Sequence, residues 1–293
     1  MVNTMKAKSI VFFTMLLVVA LQVQAEDYYK EINKRFAVNS NVYLHINGSF
    51  SNYTVTTWDS NEMEVIIKMN VETKSQERAD KIFASASVRE SATSPEIRVE
   101  PSFGTKWGVK EEVDIFVEVR MPKTGGIAAD VSFGNWSASS LIGQVNIKVD
   151  YGNVTIGELF NSANEINVEF GNINISQFGG GTIDCSYGNV KVNEAGATTT
   201  MEVAFGNLDL YGLRSDCKSL TINGEYGNID LELGESSGYQ LVASSSFGNI
   251  KVPSGLKKSL DRKDYTDESI EGVMGNGTVK VNVSVSFGNV DVD

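Results

Sequence analysis

The chain has 293 residues, with 25 Lys and Arg against 37 Asp and Glu, for a formal net charge of −12. Such an acidic balance disfavours nucleic acid and anionic membrane surfaces as partners, and it is also common among soluble exported proteins. Two Cys are too few for a disulfide scaffold, and a single His cannot build a His-rich metal site. We therefore predict no cofactor and no metal.

Residues 1–25 have the three-part plan of a cleaved secretory signal peptide. Lys6 and Lys8 precede an uncharged apolar run over residues 10–21, and small or polar residues then lead to the charged Glu26. The run of about twelve residues is shorter than the roughly twenty needed to span a bilayer, so we expect cleavage, with a retained anchor as the alternative. The mature chain would then have no transmembrane segment and would be periplasmic, exposed on the outer surface or secreted.

Residues 26–125 are predicted to form an N-terminal β portion that caps the region after it and is continuous with it. Apolar residues alternate with polar ones at Val42, Leu44 and Ile46, and again in later runs, as expected of half-buried strands. No Pro-rich or Ser-rich linker separates this portion from residues 126–293, so we predict one continuous domain.

A single helix is predicted within the N-terminal portion, from Gln76 to about Ala86. Ser75 is a suitable N-cap residue for it. The residues at helical spacing that form its apolar face are Ala79, Ile82, Phe83 and Ala86.

Residues 126–293 contain a repeated triplet of an aromatic residue, Gly and Asn. Eight copies follow one another at steps of 17 to 21 residues, with one step of about twice that length before the last copy. Regular spacing at this period indicates a repeat architecture in which each copy belongs to one structural unit. The copies are Phe133-Gly134-Asn135, Tyr151-Gly152-Asn153, Phe170-Gly171-Asn172, Tyr187-Gly188-Asn189, Phe205-Gly206-Asn207, Tyr226-Gly227-Asn228, Phe247-Gly248-Asn249 and Phe287-Gly288-Asn289.

Apolar and polar residues alternate with period two around each triplet, which predicts strands. In one unit Val145, Ile147 and Val149 precede Tyr151 at steps of two. We therefore expect the aromatic ring of each triplet to share the buried face. Polar residues such as Asp150 would cover a solvated exterior.

The Gly-Asn pair predicts a sharp corner, because Gly adopts positive φ without steric cost and Asn tolerates it. Two architectures use such a corner: a parallel β-solenoid built coil on coil, and an antiparallel array in which each pair is a hairpin turn. We predict the solenoid, because coil-on-coil stacking requires the near-identical register of the units. The number of units per coil stays open, since the alternation of Phe and Tyr would stack like on like if two units made one coil.

This pattern resembles the "putative adhesin" family, β-helical bacterial envelope proteins of unknown function that are akin to the head domains of auto-transporter adhesins. The resemblance is carried by residues 54–59 with Glu64 and Val65, by residues 117–122, and by the repeated Gly-Asn units. It covers nearly the whole mature chain. It implies a right-handed parallel β-helix and a surface or periplasmic location, and its motifs carry over no binding residue.

No catalytic residue is predicted. His45 is out of phase with the apolar residues around it and should lie on the outer face. Carboxylates at matching positions of neighbouring units, Asp150 with Glu169 and Asp209 with Asp230, keep a polysaccharide lyase or hydrolase as an alternative. We interpret them as a solvated face, because Ser, Thr and Asn are their main neighbours.

The two Cys have different surroundings in the sequence. Cys185 has the inward parity of its strand and is expected to be buried, where Cys behaves as a small apolar residue. Cys217 lies in a polar segment, and a bridge between the two stays open.

Two segments are candidate binding loops, because long loops on rigid scaffolds often carry binding residues. One comprises residues 103–108 and the other residues 254–277, which include four basic residues on an otherwise acidic chain. A tolerated surface insertion is the alternative for each. The candidate binding residues are Trp107, Lys257, Lys258, Arg262 and Lys263.

The sequence as a whole predicts a non-catalytic exported envelope protein, an adhesin-like scaffold that binds a glycan or an envelope or surface protein. The alternatives are a structural or regulatory periplasmic component without adhesion and a carbohydrate-active β-helix enzyme. The identity of the ligand and the oligomeric state stay open.

Overall fold

The computed structural model describes residues 25–102, 112–234 and 238–293. These residues form two long β-sheets and a helix, α1 Gln76–Phe83. Strands of the first half are β1 Glu26–Ala37, β2 Tyr43–Gly48, β3 Asn52–Trp58, β4 Glu62–Thr73, β5 Ala86–Arg89, β6 Glu96–Val99, β7 Glu112–Pro122, β8 Gly126–Phe133, β9 Trp136–Leu141, β10 Val145–Tyr151, β11 Val154–Leu159 and β12 Asn164–Phe170. Strands of the second half are β13 Ile173–Phe178, β14 Gly181–Tyr187, β15 Val190–Ala195, β16 Thr198–Phe205, β17 Leu208–Leu210, β18 Ser219–Tyr226, β19 Ile229–Leu231, β20 Tyr239–Phe247, β21 Ile250–Lys251, β22 Lys257–Lys263, β23 Glu268–Met274, β24 Val279–Phe287 and β25 Val290–Val292.

Each aromatic-Gly-Asn unit forms one coil of a β-solenoid, which confirms the predicted fold class. Strand β10 pairs in parallel with β12, and Tyr151 lies opposite Phe170. On the second sheet β11 pairs in parallel with β13. Each unit thus gives one strand to each sheet, and the Gly-Asn pair turns the chain from one sheet to the other. Parallel pairing excludes the hairpin array, and with one unit per coil Phe stacks on Tyr.

Apolar side chains, most of them aliphatic, fill the space between the two sheets. In one coil Val145, Ile147 and Val149 face inward before the corner, and Val154 and Ile156 face inward after it. Burial of such a side chain stabilises the fold by about 1.5–3 kcal/mol. This continuous aliphatic interior is what holds successive coils together.

The prediction that the repeat aromatics share this buried face is wrong. Tyr151 is exposed, although it lies only two residues after the buried Val149. The inward alternation changes phase at the corner, since Val149 and Val154 both face inward although they are five positions apart in the sequence. The chain passes from one sheet to the other at the triplet, so the ring lies on the outside of the corner, whereas aromatic side chains elsewhere, such as Trp136 and Phe178, are buried in the interior.

The last coils do not follow chain order. Strand β24 pairs in parallel with β18 on one side and with β20 on the other. Strand β25 lies in the same way between β19 and β21. The coil of residues 279–293 is therefore inserted between two coils that precede it in the sequence.

Residues 254–277, predicted as a loop, form an antiparallel hairpin instead. Strand β23 pairs with β20, and β22 pairs with β23 at the edge of the sheet. The exposed strand β22 carries all four basic residues of the prediction, Lys257, Lys258, Arg262 and Lys263. Charged side chains on an edge strand oppose pairing with other chains. A binding role for these residues stays a prediction.

The N-terminal strands extend both sheets at the other end of the molecule. Strands β2 and β3 form the first coil; beyond it β7, β4 and β1 continue one sheet, and β6 and β5 continue the other. Their buried residues belong to the same apolar core as those of the repeats.

The predicted helix is present as α1, but it ends earlier than expected. The side chain of Ser75 accepts a hydrogen bond from the backbone N–H of Arg78 at 3.3 Å and so caps the N-terminus. Ala79, Ile82 and Phe83 are buried as predicted, whereas Ala86 already belongs to β5. Among the described residues, no helix is long and apolar enough to cross a membrane.

Candidate functional site

The corners of the solenoid carry a continuous stack of aromatic rings on the outer surface. Neighbouring ring centroids lie 4.7–4.9 Å apart, and all ring planes except the first pair are within 7° of parallel. Phe170 is half-buried, and the other rings are 40–54% exposed. We call this stack the aromatic ladder; in spatial order its rings are Phe50, Phe133, Tyr151, Phe170, Tyr187, Phe205, Tyr226, Phe287 and Phe247.

The sequence prediction missed one ring of the ladder, Phe50. Phe50 stacks on Phe133 at 4.8 Å, and the backbone N–H of Ser51 donates to the Phe133 carbonyl. Gly134 makes the same contact with the next coil. Phe50-Ser51-Asn52 is thus a copy of the triplet in which Ser replaces Gly. An aromatic residue two positions before an Asn was the available signal, but the missing Gly and the long distance to the next copy concealed it.

The asparagines of the triplets form a second ladder beside the rings. In each coil the backbone N–H of the Asn donates to the side-chain Oδ1 of the Asn in the preceding coil, at 2.9–3.0 Å. In most coils the side-chain Nδ2 donates to the same oxygen. Satisfying these corner amides fixes the register of the coils.

Two charged side chains of the terminal hairpin cap the end of this amide ladder. Lys263 Nζ donates to Oδ1 of Asn249, the last asparagine, at 2.9 Å. Glu268 accepts the backbone N–H of Ile250 at 3.1 Å and forms an ion pair with Lys263 at 3.0 Å. The hairpin therefore supplies the hydrogen bonds that a further coil would make. Lys263 has a structural role of its own, which the sequence did not predict.

Removal of an internal ring is expected to destabilise the solenoid more than removal of the last ring. Phe170 stacks on two rings, whereas Phe247 stacks on Phe287 alone within the described ladder. With about 0.5–1.5 kcal/mol per aromatic pair, Phe170→Ala should lower the free energy of unfolding by about 1–3 kcal/mol and Phe247→Ala by about half as much. Urea unfolding of both variants measures this. Equal losses, or none for Phe170→Ala, would show that the stacking contributes little.

An open slot lies beyond the last ring. Phe247 is the most exposed ring of the ladder, at 54%. The turn of the terminal hairpin, residues 264–267, stands beside it and borders, together with Asn249 and Lys263, an open surface cavity of about 570 Å³. Tyr265 in this turn has a fully exposed side chain. We call this cavity the end slot.

The structure brings the predicted outward carboxylates together in adjacent strands. Asp150 and Glu169 occupy matching positions of β10 and β12, and Lys148 lies 3.0 Å from Asp150. Asp209 lies opposite Asp230, which in turn lies opposite Asp291. Within residues 25–102, 112–234 and 238–293, no three His, Cys, Asp or Glu side chains are grouped so that they could hold a metal ion.

The carboxylates of Asp209, Asp230 and Asp291 repel one another. Partial desolvation raises the pKa of Asp230 above its usual range, and the neighbouring Asp209, Asp291 and Asp293 raise it further. Lys251 opposes this effect, since its Nζ lies 2.9 Å from Asp291 and 3.2 Å from Asp293. The row is therefore only partly neutralised.

Asp230→Asn is expected to stabilise the protein slightly at neutral pH. The substitution removes the repulsion from Asp209 and Asp291, and because the site is exposed the gain should be less than about 1 kcal/mol. The folded-state pKa is raised, so wild type takes up a proton as the pH falls and gains stability there, and the advantage of the variant disappears in acid. Urea unfolding against pH measures this. Asp150→Asn, which loses the contact with Lys148, serves as the control and should show no gain.

The remaining predicted residues lie apart from the ladders. His45 is exposed, as predicted, with its ring 5.3 Å from that of Tyr43. Cys185 is buried as predicted, Cys217 is buried as well, and the two thiols are unpaired. Burial raises the pKa of each thiol to about 11. Trp107 lies outside the described residues.

A two-sheet β-solenoid with one aromatic-Gly-Asn unit per coil and external aromatic and asparagine ladders defines a repeat scaffold. The chain belongs to the Toastrack DUF4097 family, whose sequence model matches residues 47–293. No curated protein matches the chain.

Several solved structures are similar to this chain at low sequence identity. One is a "putative adhesin" from Bacteroides fragilis, with 11% identity and a TM-score of 0.38, covering 90% of this chain and 97% of that one. A second is a "putative lipid binding protein" from Parabacteroides distasonis, with 12% identity and a TM-score of 0.41, covering 90% and 96%. A third is a "putative cell adhesion protein" from Clostridium sporogenes, with 11% identity and a TM-score of 0.29, covering 90% and 99%.

Proposed function

We propose that the protein is an exported, non-catalytic, adhesin-like scaffold of the cell envelope, which binds a glycan or protein ligand along the aromatic ladder. The observation that carries the proposal is the line of exposed rings itself. Exposed apolar surface that continues over many coils is unusual on a soluble protein and is typical of interaction sites. The solenoid adds rigidity to this surface.

The ladder is suited to binding because its rings are already ordered. Each internal ring is held between two neighbours, so a ligand would not have to immobilise it on binding. Tyr151, Tyr187 and Tyr226 add hydroxyl groups at every second coil, and the asparagine ladder provides amides beside them. Apolar ring edges next to polar groups match ligands that have both kinds of surface.

Export is supported by the N-terminal segment. The apolar run of residues 10–21 between basic residues and the charged Glu26 is typical of a secretory signal. Cell fractionation with mass determination of the mature chain tests this part of the proposal. Recovery of a chain that starts near Glu26 in the periplasm, on the surface or in the medium supports export. Recovery of the full-length chain in the cytoplasm contradicts it.

Ligand capture tests the binding part of the proposal. Labelled protein of residues 26–293 is applied to arrays of glycans and of isolated envelope proteins, with the urea-unfolded chain as the control. The proposal expects capture by the folded chain alone. A folded chain that captures nothing and stays in the periplasm would favour a structural or regulatory component instead.

The acidic row gives a specific reason to test a carbohydrate-active enzyme as a second candidate. Asp209, Asp230 and Asp291 lie side by side on one sheet, and paired carboxylates are the usual groups for cleaving glycosidic bonds. The test is release of reducing or unsaturated ends from polysaccharides by wild type and by Asp230→Asn. Activity lost in the variant would establish the enzyme and contradict the non-catalytic proposal.

A further inference from the structure

The end slot exists because of the inserted C-terminal coil. Since β24 lies between β18 and β20, Phe287 is an internal ring and Phe247 becomes the last one. In the described part of the chain, the face of Phe247 that points away from Phe287 has no ring stacked on it. At each of the remaining steps of the ladder, the next ring lies about 4.8 Å further along.

The terminal hairpin does not supply the next ring. Strand β23 pairs with β20 up to Ser245, which lies opposite Glu268. Continuing this register places Thr266 beside Phe247, where a further coil would carry its aromatic residue. Tyr265 precedes Thr266, but its side chain extends fully into solvent. The turn thus leaves room for a ring of another molecule against Phe247.

The rim of the slot is rich in hydrogen-bond acceptors. Asp264 accepts from Arg262 Nε at 3.0 Å, and Asp267 accepts from the Thr266 hydroxyl at 3.1 Å. Both carboxylates are exposed, so each keeps further acceptor capacity facing solvent. On the inner side Lys263 and Asn249 lie beside the ring. A volume of about 570 Å³ is within the range of small-ligand pockets.

We propose that the end slot binds one pyranose ring of a glycan. The apolar C–H face of the sugar would pack on Phe247, whose ring face carries partial negative charge. Its hydroxyls would donate to Asp264 and Asp267, and Tyr265 would close over the opposite face. This inference rests on the proposed function and names the ligand class for one end of the ladder.

The carboxylates favour a sugar over an aromatic side chain of a protein. An aromatic residue in the slot would remove water from Asp264 and Asp267 without offering them donors, and an unpaired acceptor carries a penalty on burial. A pyranose has a flat apolar face and a rim of hydroxyl donors. It therefore satisfies Phe247 and the carboxylates together.

The test is titration of the folded chain with methyl glycosides of glucose, galactose, mannose and N-acetylglucosamine. Binding is measured by calorimetry or from changes in NMR chemical shifts. Binding of at least one glycoside is expected, and Phe247→Ala, Tyr265→Ala and Asp267→Asn should each weaken it about tenfold or more. Tyr265 is fully exposed, so its variant keeps the fold. Tyr29→Phe, which removes a hydroxyl from an exposed tyrosine of β1 at the other end of the molecule, should bind as wild type does.

Other results separate this inference from the proposed function. If no glycoside binds at millimolar concentration while envelope proteins are still captured, the pyranose site is wrong and the scaffold proposal stands. If a glycoside binds equally to wild type and to the three slot variants, or if only Tyr29→Phe weakens it, the sugar site is not the end slot. Binding of aromatic peptides in the slot in place of sugars would also overturn the inference.

Discussion

Gly171→Ala is expected to destabilise the solenoid by more than about 4 kcal/mol, enough to remove most of the stability of an ordinary domain. Gly171 has φ of +153°, a backbone conformation that L side chains rarely adopt. A Cβ at this position would lie 1.8 Å from the carbonyl oxygen of Gly152 in the preceding coil. Because the added Cβ is attached rigidly to the backbone and the oxygen is itself a backbone atom, no side-chain rotation can relieve the contact. Urea unfolding of the variant measures the loss.

Gly212→Ala is the matched control for this prediction. Its added Cβ would meet the Asn193 carbonyl oxygen at 3.4 Å and a Glu194 side-chain atom at 3.7 Å, which are ordinary contacts. The change should therefore alter the free energy of unfolding by less than about 1 kcal/mol. If Gly171→Ala were tolerated as well as Gly212→Ala, the close corner-to-corner packing described above would be incorrect.

Val281→Asp is expected to prevent folding or to reduce stability by more than about 4 kcal/mol. Val281 is fully buried in β24, between Leu220 of β18 and Leu241 of β20. A carboxylate placed there would lose its hydration without gaining a partner. Circular dichroism and urea unfolding of the purified variant measure the effect.

Two further substitutions serve as controls that test whether the effect is specific to the buried face of the inserted strand β24. Asn282→Asp changes the adjacent, outward-facing residue and should shift stability by less than about 0.5 kcal/mol. Leu260→Asp lies in the exposed edge strand β22 and should also be tolerated. A Val281→Asp variant as stable as these two would mean that β24 is not an interior strand.

Much of the fold could be predicted from local alternation and from the spacing of the triplets. Inward-facing Val and Ile at steps of two determine which face of each strand is buried, and a constant step determines that units stack in parallel. The orientation of the aromatics was predicted wrongly because the alternation was continued through the corner. Val149 and Val154 are both buried although they are five positions apart, so the inward alternation changes phase at the corner between them. The ring of Tyr151 lies on the outer surface of this corner.

The order of the last coils could not be predicted from the sequence. Every coil presents a similar aliphatic interior, so local patterns do not determine which coil lies next to which. The long step between Phe247 and Phe287 was the only sign of a different connection. In the structure that step contains the hairpin β22–β23, which pairs with one edge of β20. The chain then crosses over, so that β24 pairs with the opposite edge of β20.

The candidate site was predicted only in part. The triplets were recognised as corners, but the end slot depends on which ring is last and on where the hairpin turn lies, and both follow from long-range pairing. The basic residues of β22 were selected because of their charge. Of these, Lys263 bonds to Asn249 and Glu268, and Lys258 and Arg262 pair with carboxylates close to them in the sequence. Local charge therefore indicates a binding site less well in this protein than the continuity of the aromatic ladder does.

The inserted position of the C-terminal coil makes Phe247 the last ring and creates the end slot. Disulfide cross-linking tests it most directly, in a background carrying Cys185→Ala and Cys217→Ala. Thr221 and Asn282 are register neighbours, as are Asn282 and Val242. Neighbouring strands lie about 4.8 Å apart, within the Cα separation that a disulfide bridges, whereas Thr221 and Val242 are separated by about twice that distance.

The two double variants to compare are Thr221→Cys with Asn282→Cys and Thr221→Cys with Val242→Cys. Under mild oxidation and with peptide mass mapping, the insertion predicts an intramolecular disulfide in the first and none in the second. A disulfide in the second pair but not in the first would place β20 directly beside β18. That result would contradict the inserted coil, and with it the end slot at Phe247.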